Sequence, residues 1–302
     1  MKKFWILIAA MAGTALLLAG CGAAEGEEKK TAPETAVESV EETSETSEEK
    51  KPVTMAGLVG ESRKEQQGEV EELPQTVLWF NATYAPLTYS NGWNWRLLGG
   101  MEPTEENRDI SRQLLVSSWS VRDRDSALET TKNLLQNGHR KKCLDYTKQM
   151  EEWGILELGE EEFVQQIVEK DLGSEIGRYA VAYLMHRAKI EPEYIAAWDL
   201  CRVNQLYADY YFCGYMTYEE AMDASLANSL NLQELYGSWE EMVEAYLLGY
   251  QFWQGEPILN VSGYDYGYDS PSQERRHYYE MLQELEDGPY TLDWNMELTK
   301  SW

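Results

Sequence analysis

"TYEEAMDASLANSLNLQELYG" (Thr217 to Gly237) runs directly into "SWEEMVEAYLLGYQFWQ" (Ser238 to Gln254), and the two stretches begin alike. In each, a hydroxyl residue stands three positions before a glutamate: Thr217 before Glu220, and Ser238 before Glu241. That spacing lets the hydroxyl accept an early backbone N–H of a helix while the glutamate accepts the N–H of the cap residue itself. Two successive helix starts with matching cap chemistry predict a helix-rich domain.

Working upstream, "EYIAAWDLCRVNQLYADYYFCGY" (Glu193 to Tyr215) reads as one long helix, with Pro192 suited to its first turn. Trp198, Leu206 and Tyr210 fall eight and four residues apart, so they extend one apolar surface. Asp199 and Arg202, three apart, share a side of the same helix. A charge pair at the edge of an apolar surface is only partly screened, so its geometry matters more than that of a surface pair.

Earlier segments carry the same period. "NRDISRQLLVSSWSV" predicts a helix to about Trp119, and "RDRDSALETTKNLLQNG" places Ala127, Thr131 and Leu134 on one face with Leu128 and Leu135 nearby. Asp125 or Ser126 is suited to cap this second helix, and Gly138 to end it in the left-handed conformation. "HRKKCLDYTKQMEEWG", "EEFVQQIVEKDLG" and "SEIGRYAVAYLMHRAKI" continue as helices, the last with small residues at Ala180 and Ala182 that permit close packing. A further helix is expected from Pro271 to Leu285, after which the tail is expected to pack back through Trp294 and Trp302. Only Gln75 to Gly100, aromatic and broken by Asn, Gly and Pro, reads as an irregular cover or a short helix. The expectation is an all-α fold: a single compact multi-helix domain over residues 75–302.

What precedes that domain is of another kind. Two lysines, an apolar run from Phe4 to Leu18 and then "LLAGC" ending at Cys21 have the layout of a secretory signal. Ala19 and Gly20 are small enough to admit a peptidase to the bond before Cys21, whose thiol is then the expected point of lipid attachment. This start resembles the bacterial lipoprotein signal and implies a signal peptide over residues 1–20 and a lipidated mature N-terminus. Residues 21–74 then form a linker: Gly22 to Pro74 holds 15 acids and 6 bases, and no aromatic residue. Such a composition cannot bury enough area to offset its ordering entropy, so a disordered acidic tether is expected.

From Gln75 onward there are 38 acids against 18 bases. A net charge of that sign opposes DNA, RNA and anionic lipid and excludes the nucleic-acid-binding classes, which need a concentrated basic surface. Cys143, Cys201 and Cys213 have neither redox nor zinc spacing and are expected as buried free thiols. His139, His186 and His277 stand far apart, outside any metal-site spacing. In "GYDYGYDSPSQ" (Gly263 to Gln273), Asp265 and Asp269 lack the succession of oxygen ligands of a calcium hand. No phosphate loop, serine elbow or dinucleotide fingerprint is present, so neither metal nor cofactor is assigned.

Three stretches, "SWSVRDRDSALETTKNLLQNGHR", "AAWDLCRVNQLYADYYFCGYMTYEEA" and "LYGSWEEMVEAYLLGYQFW", together resemble the bacterial domain-of-unknown-function family numbered 1266, over about 114–253. The family's motifs fall on Trp119, Arg122 and Asp123; on Gly138, His139 and Arg140; on Trp198, Asp199 and Arg202; and on Ser238, Trp239 and Glu240. The resemblance implies a mostly helical domain and the importance of these positions, without implying a reaction.

Trp119, Arg122, Asp123, His139, Arg140, Asp199, Arg202 and Trp239 are therefore the candidate polar and aromatic cluster, expected chiefly to organise the fold. The functional expectation is an extracytoplasmic module, anchored to the membrane through its N-terminal lipid and binding an envelope protein or glycan. The alternative is a hydrolase of a cell-envelope polymer using Asp199 or Asp123 with His139 as acid and base.

Overall fold

The computed structural model describes residues 73–257 and 270–302. The signal segment, Cys21, nearly all of the acidic linker and the Asp265/Asp269 loop lie outside the described residues. Within them there are eleven α-helices and no strand. They are α1 (Gln75–Thr83), α2 (Ala85–Ser90), α3 (Glu105–Trp119), α4 (Arg124–Gln136), α5 (Gly138–Glu152) and α6 (Glu160–Val168). Then come α7 (Ile176–Arg187), α8 (Ala196–Phe212), α9 (Tyr218–Leu235), α10 (Trp239–Gln254) and α11 (Pro271–Gln283).

The long helix read from Glu193 to Tyr215 is α8, entered through a 3-10 turn at Pro192–Ile195. It is buried along almost its whole length, with α9, α10, α4, α5 and α1 around it. A helix surrounded in this way must satisfy its polar groups internally. Asn204 donates to Thr83 and Ser229, while Asn228 donates to the Leu200 carbonyl and to Asn204.

Two apolar clusters fill the interior. The larger gathers α1, α8, α9, α10 and the tail, and includes Trp79, Trp198, Tyr210, Tyr246 and Trp294. The smaller lies among α5, α6 and α7 and includes Cys143, Met150, Phe163 and Tyr183. Helix α10 joins them, with Tyr246 and Leu247 in the first and Leu248 and Phe252 in the second. At its end the chain of α10 meets the start of α7 so closely that a Cβ on Gly177 would lie 2.0 Å from the Gly255 carbonyl oxygen.

The capping pattern at Thr217 and Glu220 is complete, each side chain bonded to the other's backbone N–H. At Ser238 only half of it forms, because Glu241 accepts from Gly237 rather than from the cap residue. The start of α4 is two or three residues earlier than expected: Asp123, not Asp125 or Ser126, is the cap, and Ser126 returns the bond. Leu128 and Leu135 face solvent, leaving Ala127, Thr131 and Leu134 as the buried face. The largest revision is at Gln75–Gly100. Thr76 through Thr83 are all buried, so α1 is a core helix and not a cover. Cys143, Cys201 and Cys213 are free and buried.

Candidate functional site

Asp199 sits in the first turn of α8, fully buried, opposite the start of α5. The start of α5 has no side-chain cap of its own from Asn137. The carboxylate of Asp199 takes that place from another helix. Its Oδ2 accepts the backbone N–H of His139 at 2.7 Å, at the end of the helix where unpaired N–H groups and the helix dipole both favour a negative charge.

Gly138 makes the approach possible. Its φ is +52°, and a Cβ there would fall 2.2 Å from Asp199 Oδ2. Any side chain would therefore displace the carboxylate, which explains the glycine of the Gly-His-Arg stretch in steric terms.

The other lone pairs of Asp199 are also engaged. Oδ1 lies 2.9 Å from His139 Nδ1 and 3.1 Å from Arg202 Nη2, and Arg140 Nη1 is 3.5 Å from Oδ2. Because the carboxylate only accepts, the short ring contact requires the Nδ1-protonated form of His139 donating to Asp199. Arg202 Nη2, 3.1 Å from the same nitrogen, then has its acceptor in the carboxylate and not in the ring. Burial by itself pushes the Asp199 carboxyl up, but the His139 hydrogen bond and the charge of Arg202 outweigh it and hold the group below its ordinary range.

The two arginines tie this point to the rest of the fold. Arg140 donates to the carbonyls of Leu134 and Leu135 at the end of α4, and its Nε pairs with Glu193 at 3.0 Å. Arg202 bonds the Trp198 carbonyl, and its guanidinium lies over two tryptophan rings, 4.1 Å from the Trp198 centroid and 5.0 Å from that of Trp119. Two cation–π contacts in a buried setting, with the bonds to Asp199 and to the Trp198 carbonyl, hold the guanidinium in place.

Five of the expected cluster residues are thus brought together: Trp119, His139, Arg140, Asp199 and Arg202. Three are elsewhere. Arg122 is exposed. Asp123 is exposed as well and is spent on capping α4, where the bonds from Ser126 hold its carboxyl below the ordinary range. Trp239 belongs to a separate aromatic group with Trp79 and Trp294, and its Nε1 donates to the Leu292 carbonyl. The resemblance put these three with the others because they fall in the same family motifs, and a shared motif does not make side chains converge. Glu193 and Trp198 complete the site; Trp198 stands in the same family motif as Asp199 and Arg202, whereas Glu193 carries no signal beyond its place at the start of the helix.

A second buried acid was not anticipated. Asp209, near the other end of α8, is 8 % exposed and faces the left-handed turn at Gly99. Among the described residues no side chain or backbone group bonds its carboxyl, and burial pushes its pKa up to about 8. Among the described residues no group of three or more metal-ligating side chains gathers.

The family described as "Protein of unknown function (DUF1266)" matches residues 114–294. The match extends the expected core of 114–253 through α11 to Trp294. No curated protein and no solved structure matches the chain.

Proposed function

The chain belongs to the DUF1266 family, and we propose that this member is a lipid-anchored, extracytoplasmic binding domain held off a bacterial membrane by its acidic tether. The "LLAGC" stretch supports the anchor at Cys21, and the composition of residues 21–74 supports the tether. No helix of the described residues is long and apolar enough to cross a membrane. The partner is an envelope protein or glycan, since the acidic surface disfavours polyanions.

One observation carries the choice of binding over hydrolysis. The Asp199 carboxylate, fully buried, already has a donor at each of its roughly four acceptor positions. A general base needs a lone pair aimed at a substrate proton, and a general acid needs a proton to give. Asp199, held ionised, supplies neither. Asp123, the other carboxylate considered for hydrolysis, is occupied as a helix cap away from His139.

The test has two arms. Cells making the full chain are fed an alkyne-bearing palmitate. Label on the wild type and none on Cys21→Ser supports the anchor, and an unlabelled wild type refutes it. The full chain in detergent is then incubated with envelope glycan and envelope protein fractions. Retention by one of them without release of soluble fragments supports binding. Steady fragment release, lost in Asp199→Asn, would establish the hydrolase instead.

A further inference from the structure

Among the described residues, Arg275 is a partly buried cation with no carboxylate within ion-pair distance, Glu274 acting on it only through its charge. Among the described residues, the other partly or fully buried arginines each pair with an acid: Arg108 and Arg112 with Glu105, Arg140 and Arg202 with Asp199, Arg178 with Glu175, Arg276 with Glu244. Arg275, in the second turn of α11, does not. Its guanidinium donates from Nη1 to the Tyr246 hydroxyl at 2.8 Å and lies 4.4 Å from the centroid of the Tyr250 ring. Its chain neighbour Glu274 is turned to Tyr278.

A guanidinium carries five N–H donors in a planar fork, and one of them is used here. The hydrogen bond and the ring together hold that plane still, so little ordering is left for an incoming anion to impose. The natural match to such a fork is a carboxylate, bound through two parallel hydrogen bonds.

What lies beside it narrows the class. The Tyr250 ring is 5.7 Å from Trp253, and Trp253 is 5.6 Å from Trp198. Trp253 is partly exposed, while its carbonyl is held by Arg178 Nε at 2.9 Å. Trp198 in turn is braced by Arg202. A fixed cation therefore borders a fixed aromatic face, the pairing that suits a ring with an apolar C–H face and a carboxylate at its rim.

We infer that Arg275, Tyr250 and Trp253 form a binding site for a carboxylate-bearing sugar. This rests on the binding-domain reading above and gives it a ligand class. The Asp199 cluster then serves the site at one remove, by fixing Arg202 and with it the Trp198 ring on which Trp253 rests.

The test titrates the full chain in detergent with N-acetylmuramic acid, with N-acetylglucosamine, which has the same ring without the lactyl carboxylate, and with acetate, following tryptophan fluorescence and heat. The acidic sugar should bind saturably and roughly tenfold or more tighter than either other probe. Arg275→Gln and Arg275→Lys should bring it down to the neutral sugar, the lysine because it keeps charge without the fork, and Trp253→Ala should weaken both sugars. Tyr246→Phe, which leaves the cation but frees it, should weaken the acid several-fold; circular dichroism melts confirm that each variant folds. Equal binding of the two sugars, acetate as tight as the acidic sugar, no binding of any probe, or an unaffected Arg275→Gln protein each overturns the inference. If the acidic sugar fails while palmitate labelling and envelope capture succeed, the site assignment alone falls. If labelling and capture fail too, the broader reading falls with it.

Discussion

Asp199 and Asp209 lie on one helix, ten residues and about 15 Å apart, and both are withdrawn from water. Their ionisation is opposite. Asp199 is held below the ordinary carboxylate range, whereas Asp209 is pushed up to about 8. Burial is common to both and raises both. The difference is partners: two arginines, an imidazole and a helix N-terminus converge on Asp199, and no described group bonds the side chain of Asp209. Charge on α8 is therefore decided by what neighbouring helices bring to it, and one acid ties α4, α5 and α8 together while the other opposes the fold when it ionises.

The largest test removes the first acid. Asp199→Ala removes the buried carboxylate that Arg202, Arg140 and the His139 N–H share, and should lower unfolding free energy by about 3–5 kcal/mol in urea denaturation. A loss below about 1 kcal/mol would mean the cluster is ornamental. Next is Gly138→Ala, which adds a methyl where Asp199 Oδ2 stands, in a left-handed backbone; about 2 kcal/mol or more should be lost. Combined with Asp199→Ala its further effect should shrink, because the obstructed atom is gone.

The opposite sign is expected at the other acid. The folded pKa of Asp209, about 8, stands above its ordinary 3.8, so between these values the unfolded chain releases the proton first and stability falls as pH rises. Asp209→Asn removes that loss. Its advantage in unfolding free energy from urea titrations should be small at pH 4, widen to roughly 1–3 kcal/mol by pH 8, and then level off. Asp199 behaves inversely: its contribution is complete above its ordinary 3.8 and is lost as pH falls through the lower folded value. An advantage of Asp209→Asn that does not change with pH would break the contrast. The smallest effect belongs to Glu220, which has bidentate Arg124 and the Thr217 N–H as partners but stands in water. Glu220→Gln should shift the midpoint least of the four, although its pKa is lowered to about 2, chiefly by the Arg124 hydrogen bonds.

Local chemistry made part of this legible. Thr217 with Glu220 names a helix start because both partners lie within four residues, and the Asp199/Arg202 pair is visible for the same reason. The start of helix α4 is ambiguous in the sequence because Asp123, Asp125 and Ser126, within four residues, are all competent caps. For α1 the sequence leaves a short helix and an irregular cover open, because a helix buried on every side has no polar stripe to mark its period. Among the site residues, Arg122 and Trp239 sit beside the right motifs yet face elsewhere, which spacing alone cannot tell. Asp209 and Arg275 carry no signal at all: what distinguishes them is the partner each lacks, and that is a property of the assembled helices.

The placing of Trp79 has a consequence for how the chain is made. This fully buried ring packs against Trp239 and Trp294, at 4.8 and 5.2 Å, and Thr299 donates its backbone N–H to the neighbouring Thr76. A ribosome that has delivered α1 must add more than two hundred further residues before the last of these partners exists. Until then α1 keeps a tryptophan uncovered, so the nascent domain closes from its newest end onto its oldest, and a message cut just short of Trp294 yields a nearly full-length product with an open core.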